Sequence, residues 1–289
     1  MKNVVITGAN SGLGFETAKK IAKDKDVRVI LACRNEEKAM QAKADIAAAT
    51  GNTNVEVLKL DTSLLSSVRA FAEKFIKEYG SVDVLINNAG ISAMRESGKT
   101  IEGFEVVFAT NYLGHFLLTN LLLPYFTPKG RIINVTSDMH EPPGGIKWNG
   151  ADYLAYYALD DRKRYSFSKL CAIYFTHKLS ETLKSQGSGV TVNSFNPGFM
   201  AATNFSGGHA DKMRALMVKT AMPDRYGELG SSSDALARIA TEDCFGEVSG
   251  EYFDRSINTK RSSDLSYDKD NQEELWEKSL YYCDIESKN

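Results

Sequence analysis

The chain has 289 residues, a length compatible with one large α/β domain or with two smaller domains. It carries 35 Lys and Arg against 37 Asp and Glu, a formal net charge of −2, with 43% hydrophobic and 25% charged residues. This balance is typical of a soluble globular protein with a full core. The composition and net charge argue against a disordered protein, a fibrous protein and a strongly basic nucleic-acid-binding protein. We therefore expect no nucleic-acid partner.

The four cysteines stand far apart without CxxC spacing, and they predict neither a disulfide framework nor a zinc site. No secretion signal is evident, and the longest apolar run, near residues 117–123, is interrupted by polar residues and Pro124. These features predict a reduced, cytoplasmic protein without a membrane span. We expect no metal, because the histidines lack metal-ligand spacing and are interpreted as packing or surface residues: His115, His140, His177 and His209.

Short β-rich runs alternate with longer stretches of helical period along the chain. This alternation predicts right-handed βαβ units and a parallel sheet with helices on both faces. The runs at 82–86 and 131–135 are almost continuously apolar, which is typical of strands buried on both faces. The predicted strands are residues 4–7, 27–32, 55–60, 82–86, 131–135, 190–195 and 250–253.

Two segments are too long and irregular to be simple connections. Residues 138–164 contain a Pro-Pro-Gly-Gly sequence, and residues 198–230 contain a Gly-Gly pair. Such loops inside a compact domain are usually functional lids or disordered. No internal repeat or linker divides the chain. We therefore predict a single domain over 1–289, with substrate-site insertions at 138–164 and 198–230 and a C-terminal tail at 255–289 that forms a solvated helix or closes the substrate mouth.

A glycine-rich turn, TGANSGLG, joins the first predicted strand to a helix at residues 7–14. Gly8 permits a tight turn, Gly12 lets the backbone approach a pyrophosphate, and Gly14 permits close helix–strand packing, while the helix N-terminus attracts the anion. On its GxxxGxG spacing alone, an ordinary glycine-rich turn is the alternative. The strand–turn–helix context favours a dinucleotide site formed by Gly8, Asn10, Ser11, Gly12, Leu13 and Gly14.

The second predicted strand ends at Cys33 and Arg34, without the carboxylate that binds the ribose hydroxyls of NAD in dinucleotide folds. A guanidinium at this position suits bidentate contact with a 2′-phosphate. The strand end therefore favours NADP(H). The alternative is a solvated Arg34 offset by Glu36 and Glu37, which leaves NAD(H) usable.

Tyr165 and Lys169 are four residues apart on a predicted helix, so both side chains lie on one face. A nearby cation favours the phenolate and lowers a tyrosine pKa from about 10 toward the range of a general acid–base catalyst. The YxxxK spacing often occurs by chance. Together with the glycine motif it predicts a catalytic pair.

In this combination and order, the motifs resemble those of the short-chain dehydrogenase/reductase family over nearly the whole chain. The resemblance implies a single Rossmann-type doubly wound parallel sheet of about seven strands with helices on both faces. It also implies a homodimer or homotetramer built on the helices of Asn111 and Tyr165. It extends the catalytic set to Asn111, Ser137, Tyr165 and Lys169, and it adds to the cofactor site Asp61, Thr62, Asn88, Ala89, Gly90, Tyr165, Lys169, Pro197, Gly198 and Thr203.

The resemblance also implies a role for each catalytic residue, with hydride passing between a nicotinamide and a carbonyl carbon. Tyr165 would exchange a proton with the substrate oxygen, and Ser137 would hydrogen-bond to that oxygen. Lys169 would lower the tyrosine pKa and hold the nicotinamide ribose, and Asn111 would anchor a water that links Lys169 to solvent. Taken singly, Asn111 at a helix bend, Ser137 at a strand end and Asp61 at a helix N-terminus have purely structural alternatives.

Within the family, the sequence resembles the retinol dehydrogenase and protochlorophyllide reductase branch. The Ala-Cys-Arg-Asn strand end at 32–35, the long interval between Ser137 and Tyr165, and the Leu-Trp-Glu sequence at 275–277 carry this resemblance. The most specific hypothesis is a hydroxysteroid dehydrogenase of 20β type. The alternatives are a retinoid or other carbonyl reductase, a C=C reductase of protochlorophyllide type and a non-catalytic cofactor-sensing regulator.

Methionine and aromatic side chains are frequent on the two insertions. Methionine adapts to irregular apolar ligands and aromatic faces offer flat contact surfaces, so these residues favour a bulky lipophilic alcohol or ketone as substrate. The alternative is that they pack on the protein's own core or on a partner subunit. The residues are Trp148, Tyr153, Tyr156, Tyr157, Phe199, Met200, Phe205, Met213, Met217 and Met222.

Overall fold

The computed structural model describes residues 1–92, 98–159, 161–200 and 227–286. Its strands are β1 (Lys2–Thr7), β2 (Val27–Cys33), β3 (Val55–Lys59), β4 (Val82–Asn87), β5 (Phe126–Val135), β6 (Thr191–Asn196), β7 (Tyr252–Asp254) and β8 (Thr259–Lys260). They form one sheet in the order β3-β2-β1-β4-β5-β6-β7-β8. All neighbours from β3 to β7 are parallel, which confirms the predicted doubly wound sheet. The sheet has one strand more than predicted, because β8 is two residues long and pairs antiparallel with β7.

Helices cover both faces of the sheet. They are α1 (Gly12–Ile21), α2 (Glu36–Thr50), α3 (Leu65–Tyr79), α4 (Val106–Phe108), α5 (Gly114–Leu122), α6 (Arg164–Ser185), α7 (Leu229–Thr241) and α8 (Lys269–Tyr282). A π-turn, Ala109–Leu113, joins α4 to α5, and a second π-turn covers Tyr153–Tyr157. Helices α1, α2 and α7 pack on one face, and α3, α5 and α6 pack on the other.

Alternation of side chains along the strands produces these two cores. Val4 and Ile6 on β1 belong to the core under α1, whereas Val5 between them belongs to the core under α3 and α5. Because both faces are buried, the strand is apolar at every one of these positions. The continuous apolar runs in the sequence therefore have their origin in a sheet covered on both sides.

One glycine lets α5 cross the loop after β3 at very short range. A Cβ atom at Gly114 would lie 2.0 Å from the carbonyl oxygen of Thr62, so a larger residue would push the helix away. This contact sets the position of the π-turn that precedes Gly114. Asn111 lies in that turn, and the close approach therefore helps to place it.

The C-terminal helix α8 packs on the protein instead of standing in solvent. Trp276 contacts the rings of Phe116 and Phe175 at centroid distances of 5.3 and 6.1 Å. The hydroxyl of Tyr112 is 2.8 Å from that of Ser279, which is fully buried. The outer faces of α5 and α6, on which the predicted homo-oligomer was to be built, are thus covered by the chain's own tail.

The prediction that no apolar segment is long enough to cross a membrane is wrong. The helical stretch Val106–Tyr125 has 20 residues and a mean hydropathy of 1.4, which meets the length and composition of a span. The polar residues within it, such as Thr119, are few, and Pro124 lies at its end, where a proline does not interrupt the helix. In the structure 72% of its most apolar window is buried inside the protein, an arrangement shared by core helices of globular domains.

Candidate active site

The predicted site residues meet at one edge of the sheet. Strands β1 to β6 are parallel, so their carboxyl ends share an edge, and the strand order reverses between β1 and β4, which opens a crevice there. Thr203 lies outside the described residues. Asn111 lies in the π-turn before α5, and Tyr165 and Lys169 lie on α6. The remaining site residues follow the strand ends: residues 8–14 follow β1, Arg34 follows β2, Asp61 and Thr62 follow β3, residues 88–90 follow β4, Ser137 follows β5, and Pro197 and Gly198 follow β6.

The glycine-rich turn after β1 is locked onto the loop after β4. Thr7 Oγ1 accepts hydrogen bonds from the backbone N–H groups of Asn88 (2.9 Å) and Ala89 (2.8 Å). Asn88 Nδ2 donates to the Thr7 carbonyl at 2.8 Å, and a Cβ atom at Gly14 would lie only 2.6 Å from Asn88 Nδ2. Gly8 adopts a φ of +66°, which favours glycine. The turn is therefore held in a single shape before any ligand binds.

The start of α1 fits an anionic group of a dinucleotide. Ser11 precedes the helix in an extended conformation and its side chain makes no capping hydrogen bond, and the first turn carries no acidic residue. The terminal N–H groups thus lack a side-chain cap, and the helix dipole places partial positive charge there. Leu13 is buried and anchors the first turn of the helix in the core. These residues fit a pyrophosphate at the helix N-terminus.

At the end of β2 and β3 a guanidinium faces a carboxylate. Arg34 Nη1 lies 3.9 Å from Asp61 Oδ2, and the Arg34 side chain is 61% exposed. The other oxygen of Asp61 accepts hydrogen bonds from the N–H and hydroxyl groups of Ser63, at 3.0 and 2.6 Å. This oxygen therefore has the structural role, near a helix N-terminus, that was the alternative interpretation of Asp61. A 2′-phosphate bound at this end would compete with Asp61 for Arg34.

Asn111 connects three parts of the site through its side chain. Its Oδ1 accepts from the Ile91 N–H at 2.8 Å, and its Nδ2 donates to the Ile91 carbonyl at 3.0 Å. Nδ2 also donates to Ser168 Oγ at 3.0 Å, and that hydroxyl donates to the Tyr165 carbonyl at 2.7 Å. The amide thus satisfies backbone groups, as its structural alternative predicted. Its role in anchoring a water stays a prediction.

Ser137, Tyr165 and Lys169 lie together in the structure. The side chain of Tyr165, half-buried, forms a hydrogen bond with Ser137. Lys169 Nζ lies 5.7 Å from the centroid of the Tyr165 ring and donates to the Val135 carbonyl at 2.8 Å. A hydroxyl, a phenol and an ammonium therefore converge at the carboxyl end of β5, which is the set of groups that general acid catalysis on a carbonyl requires.

Burial dominates the pKa values of this group. It raises the pKa of Tyr165 to about 12, against the opposing effect of the hydrogen bond with Ser137. It lowers the pKa of Lys169 to about 8. The net shift of the tyrosine pKa in the chain without cofactor is therefore upward, because desolvation is the largest effect and the ammonium donates to Val135. The lowering of this pKa by Lys169 stays a prediction. A phenol with this pKa keeps its proton at neutral pH and is suited to donate it.

His115 joins the glycine-rich turn to Asn111, a contact that the sequence did not predict. Its Nε2 is 3.0 Å from Thr7 Oγ1 and its Nδ1 is 3.3 Å from the Asn111 carbonyl. Since the Thr7 hydroxyl already accepts two backbone N–H groups, it donates its own proton to Nε2, and Nδ1–H then donates to Asn111. Burial lowers the pKa of His115 to about 4, consistent with this neutral ring. Its spacing of four residues from Asn111 was the available signal.

A small cavity lies beside His115 and Asn111. It encloses about 10 Å³, roughly the space of one water molecule. Its polar lining includes Asn87, whose buried Oδ1 accepts no hydrogen bond from the residues that the structure describes. Val135, the acceptor of the Lys169 ammonium, is also in its wall. This cavity is a suitable position for the water that the resemblance implied between Asn111 and Lys169.

The aromatic residues of the 138–164 insertion pack mainly on the protein itself. Trp148 Nε1 donates to Glu274 at 2.7 Å, and its ring contacts Tyr174 on α6. Tyr156 contacts Tyr282 on α8, with ring centroids 5.5 Å apart. These contacts agree with the packing alternative. Tyr157 is exposed, and the hydroxyl of Tyr153 donates a hydrogen bond to Asp161. Phe199 and Met200 lie at the start of the second insertion. The remaining residues of this set lie outside the described residues: Phe205, Met213, Met217 and Met222.

Comparison with known proteins finds dehydrogenases similar to this chain. Residues 2–148 match the family model of the short chain dehydrogenases. The chain is 38% identical to human (Homo sapiens) retinol dehydrogenase 13 over 99% of its own length and 86% of the relative's, and 34% identical to human polyprenol dehydrogenase over 95% and 83%. A crystal structure of an uncharacterized protein from Mycobacterium paratuberculosis superposes with a TM-score of 0.77 at 31% identity, covering 99% of this chain and 94% of the other.

These relatives correct one further prediction. They are named for retinol and polyprenol, which are lipids that partition into membranes, and this chain contains the membrane-length apolar helix described above. The prediction of a cytoplasmic protein is therefore wrong. The homo-oligomer predicted with it has no support in the comparisons.

The order of the strands, the glycine-rich turn at the switch point and the match over nearly the full length of the relatives lead to one conclusion. The chain belongs to the short-chain dehydrogenase family, in the branch of the retinol dehydrogenases, and is an NAD(P)-dependent oxidoreductase of alcohols and carbonyls.

Proposed function

We propose that the chain reduces a lipophilic isoprenoid aldehyde of the retinoid class to its allylic alcohol, with NADP(H) as the preferred cofactor. One observation carries the reaction type: the Tyr165 phenol is hydrogen-bonded to Ser137 beside the Lys169 ammonium. Burial, which raises the pKa of this phenol to about 12, supports its role as a proton donor. A phenol that stays protonated at neutral pH donates to a carbonyl oxygen more readily than it removes a proton from an alcohol.

Each side chain of the site has its own role in the proposed reaction. When bound, the cofactor supplies the hydride. Ser137 and Tyr165 would both hydrogen-bond to the substrate oxygen, which fixes the carbonyl and stabilises the negative charge that develops on it. Tyr165 then gives its proton to that oxygen. Lys169, buried 2.8 Å from the Val135 carbonyl, keeps a positive charge next to the phenol and favours this proton transfer.

The substrate class rests on the relatives and on general chemistry. Retinol and polyprenol, for which the relatives are named, are both isoprenoid allylic alcohols. The hydroxysteroid hypothesis is without comparable support, so the retinoid alternative now takes precedence. Met200, at the start of the second insertion, packs on the core next to the strand ends and is of a residue type that adapts to flexible apolar chains.

The cofactor preference rests on the charge at the end of β2. No carboxylate follows Cys33, and Arg34 is 61% exposed, so its guanidinium is accessible to a phosphate from solvent. A phosphate placed there would form charge-assisted hydrogen bonds with Arg34. Asp61, 3.9 Å away, repels the same phosphate, and this limits the preference to a moderate one.

The test is a reduction assay followed by product identification. Purified chain is incubated with NADPH or NADH and, separately, with retinal, a shorter isoprenoid enal, a 20-ketosteroid and a cyclic enone. We expect retinal and the enal to yield allylic alcohols with the C=C bonds intact, faster with NADPH. Faster turnover of the steroid would refute the substrate class, and a saturated product would indicate C=C reduction. Tight NADPH binding without turnover of any compound would indicate a regulator.

A further inference from the structure

A second buried histidine contacts the backbone of the catalytic serine. His140 ends the short turn Asp138–His140 that follows Ser137, and it is 5% exposed. Its Nδ1 lies 2.8 Å from the Ser137 carbonyl oxygen. Its Nε2 accepts a hydrogen bond of 3.0 Å from the backbone N–H of Ser263, a residue of the C-terminal tail 123 positions away in the chain.

These two contacts define the protonation of the ring. The Ser263 N–H can only donate, so Nε2 carries no proton and the neutral ring carries its proton on Nδ1. Nδ1–H therefore donates to the carbonyl of Ser137. The same ring lies against Tyr252 of β7, with centroids 5.3 Å apart. These three contacts hold the His140 ring in place, and the ring in turn restrains the carbonyl group of Ser137.

The turn is fixed at other points as well, which leaves Ser137 little freedom. Ser137 Oγ accepts from the Met139 N–H at 3.2 Å, and the Asp138 N–H donates to Asn196 Oδ1 at 3.2 Å. The side chain of Asn196 donates back to Asp138 at 2.6 Å. Of these contacts, only the His140 bridge brings the C-terminal tail to Ser137.

We propose that His140 is a positioning residue for Ser137 and that the tail at residues 262–266 forms part of the support of the active site through it. The inference rests on the proposed function, in which Ser137 holds the substrate oxygen. In this arrangement the Ser263 N–H orients the imidazole. The imidazole is the second donor to the Ser137 carbonyl, at 2.8 Å, beside the backbone N–H of His140, at 3.0 Å. The two donors together set the peptide orientation that directs the hydroxyl toward Tyr165. Misplacement of such a group by about 1 Å costs on the order of 100-fold in rate.

His177 provides a matched control on the same tail. It is 7% exposed, its Nδ1 is 3.1 Å from the Ser266 carbonyl, and its ring stacks on Tyr267 with centroids 4.7 Å apart. It therefore secures the same turn of the tail as His140 does. Its hydrogen bonds to described residues reach Ser266 and Gln272, and they do not include Ser137.

The test compares His140→Asn, His140→Gln, His140→Phe and His177→Phe in the full chain. An Asn amide places its N–H near the Nδ1 position and keeps the donor to Ser137, whereas a Gln amide reaches the Nε2 position and keeps the contact with Ser263. We expect kcat for retinal reduction to fall about 10- to 100-fold in the Gln and Phe variants, with KM for NADPH changed less than about 3-fold. The Asn variant should recover most of kcat.

The control separates positioning from tail stability. His177→Phe should lower the Tm as His140→Phe does, with kcat near that of the wild type. Equal kcat losses in both, or an Asn variant as slow as the Phe variant, would refute the positioning role. If the Phe variant does not fold, the Asn and Gln pair carries the same comparison.

Two measurements distinguish failure of this inference from failure of the proposed function. Ser137→Ala with full turnover would show that Ser137 is not the catalytic serine, whatever the His140 variants do. Amide hydrogen exchange needs no substrate: we expect the Met139 N–H, which donates to Ser137 Oγ, to lose protection in the Gln and Phe variants and to keep it in the Asn variant. Unchanged protection in all three would refute the link between His140 and Ser137.

Discussion

Replacement of Lys169 by Met tests the burial of its ammonium group directly. Lys169 is 4% exposed, and burial lowers its pKa from an ordinary value of 10.5 to about 8. A lysine whose pKa is lower in the folded state binds its proton more weakly there than in the unfolded chain. The free energy of unfolding therefore rises as pH increases through the folded pKa, up to the unfolded value.

The magnitude follows from the two pKa values. Between pH 7 and pH 10 the linkage relation gives a gain of about 2.5 kcal/mol for the wild type from this group, and Lys169→Met has no such gain. Other groups, including Tyr165 with its raised pKa, titrate in the same range. They remain in both proteins, so their contributions cancel in the comparison.

The assay is urea unfolding of both proteins at pH 7 and pH 10 without cofactor. We expect the difference in unfolding free energy, wild type minus variant, to increase by about 2.5 kcal/mol between the two pH values. The loss of the hydrogen bond to Val135 and the altered packing affect both pH values alike and do not enter this change. A difference that stays constant within about 0.5 kcal/mol would refute a strongly desolvated ammonium at this site.

Three further substitutions test other parts of the site. Tyr165→Phe removes only the proton donor, so NADPH binding measured by fluorescence should be retained while turnover falls by about 100-fold or more; near wild-type turnover would contradict the proton-donor role. Arg34→Ala should raise KM for NADPH about 10-fold and leave KM for NADH unchanged in steady-state assays, and equal effects on both would remove Arg34 from the phosphate site. Arg164→Met leaves the fully buried Glu105 carboxylate, 3.5 Å from the guanidinium, without its cation, and should cost about 3–5 kcal/mol in urea unfolding. Adding Glu105→Gln to that variant should restore much of the loss, and an equally unstable double variant would contradict the ion-pair explanation.

Local patterns in the sequence were sufficient to predict the sheet and the conformation of the glycine-rich turn. The apolar runs predicted seven of the eight strands because most of these strands are buried on both faces, and the two-residue β8 was too short to give a pattern. Gly8 and Gly14 stand where a turn and a close contact require them, and these requirements lie within a few residues along the chain. The i, i+4 spacing likewise placed Tyr165 and Lys169 on one helix face.

Properties that depend on burial or on distant partners required the tertiary structure. The net rise of the Tyr165 pKa was not predicted, because spacing reveals the neighbouring cation but not the desolvation that burial imposes on the phenol. The contacts of His115 with Thr7 and of His140 with Ser263 join residues 108 and 123 positions apart, and no local period encodes them. For the same reason, only the folded chain showed that α8 covers the helices expected to form a subunit interface. The sequence by itself thus determined which reactive groups are present and on which elements they lie, whereas the tertiary structure decided how they are oriented and what charge they carry, because these depend on solvent exclusion and on contacts between distant segments.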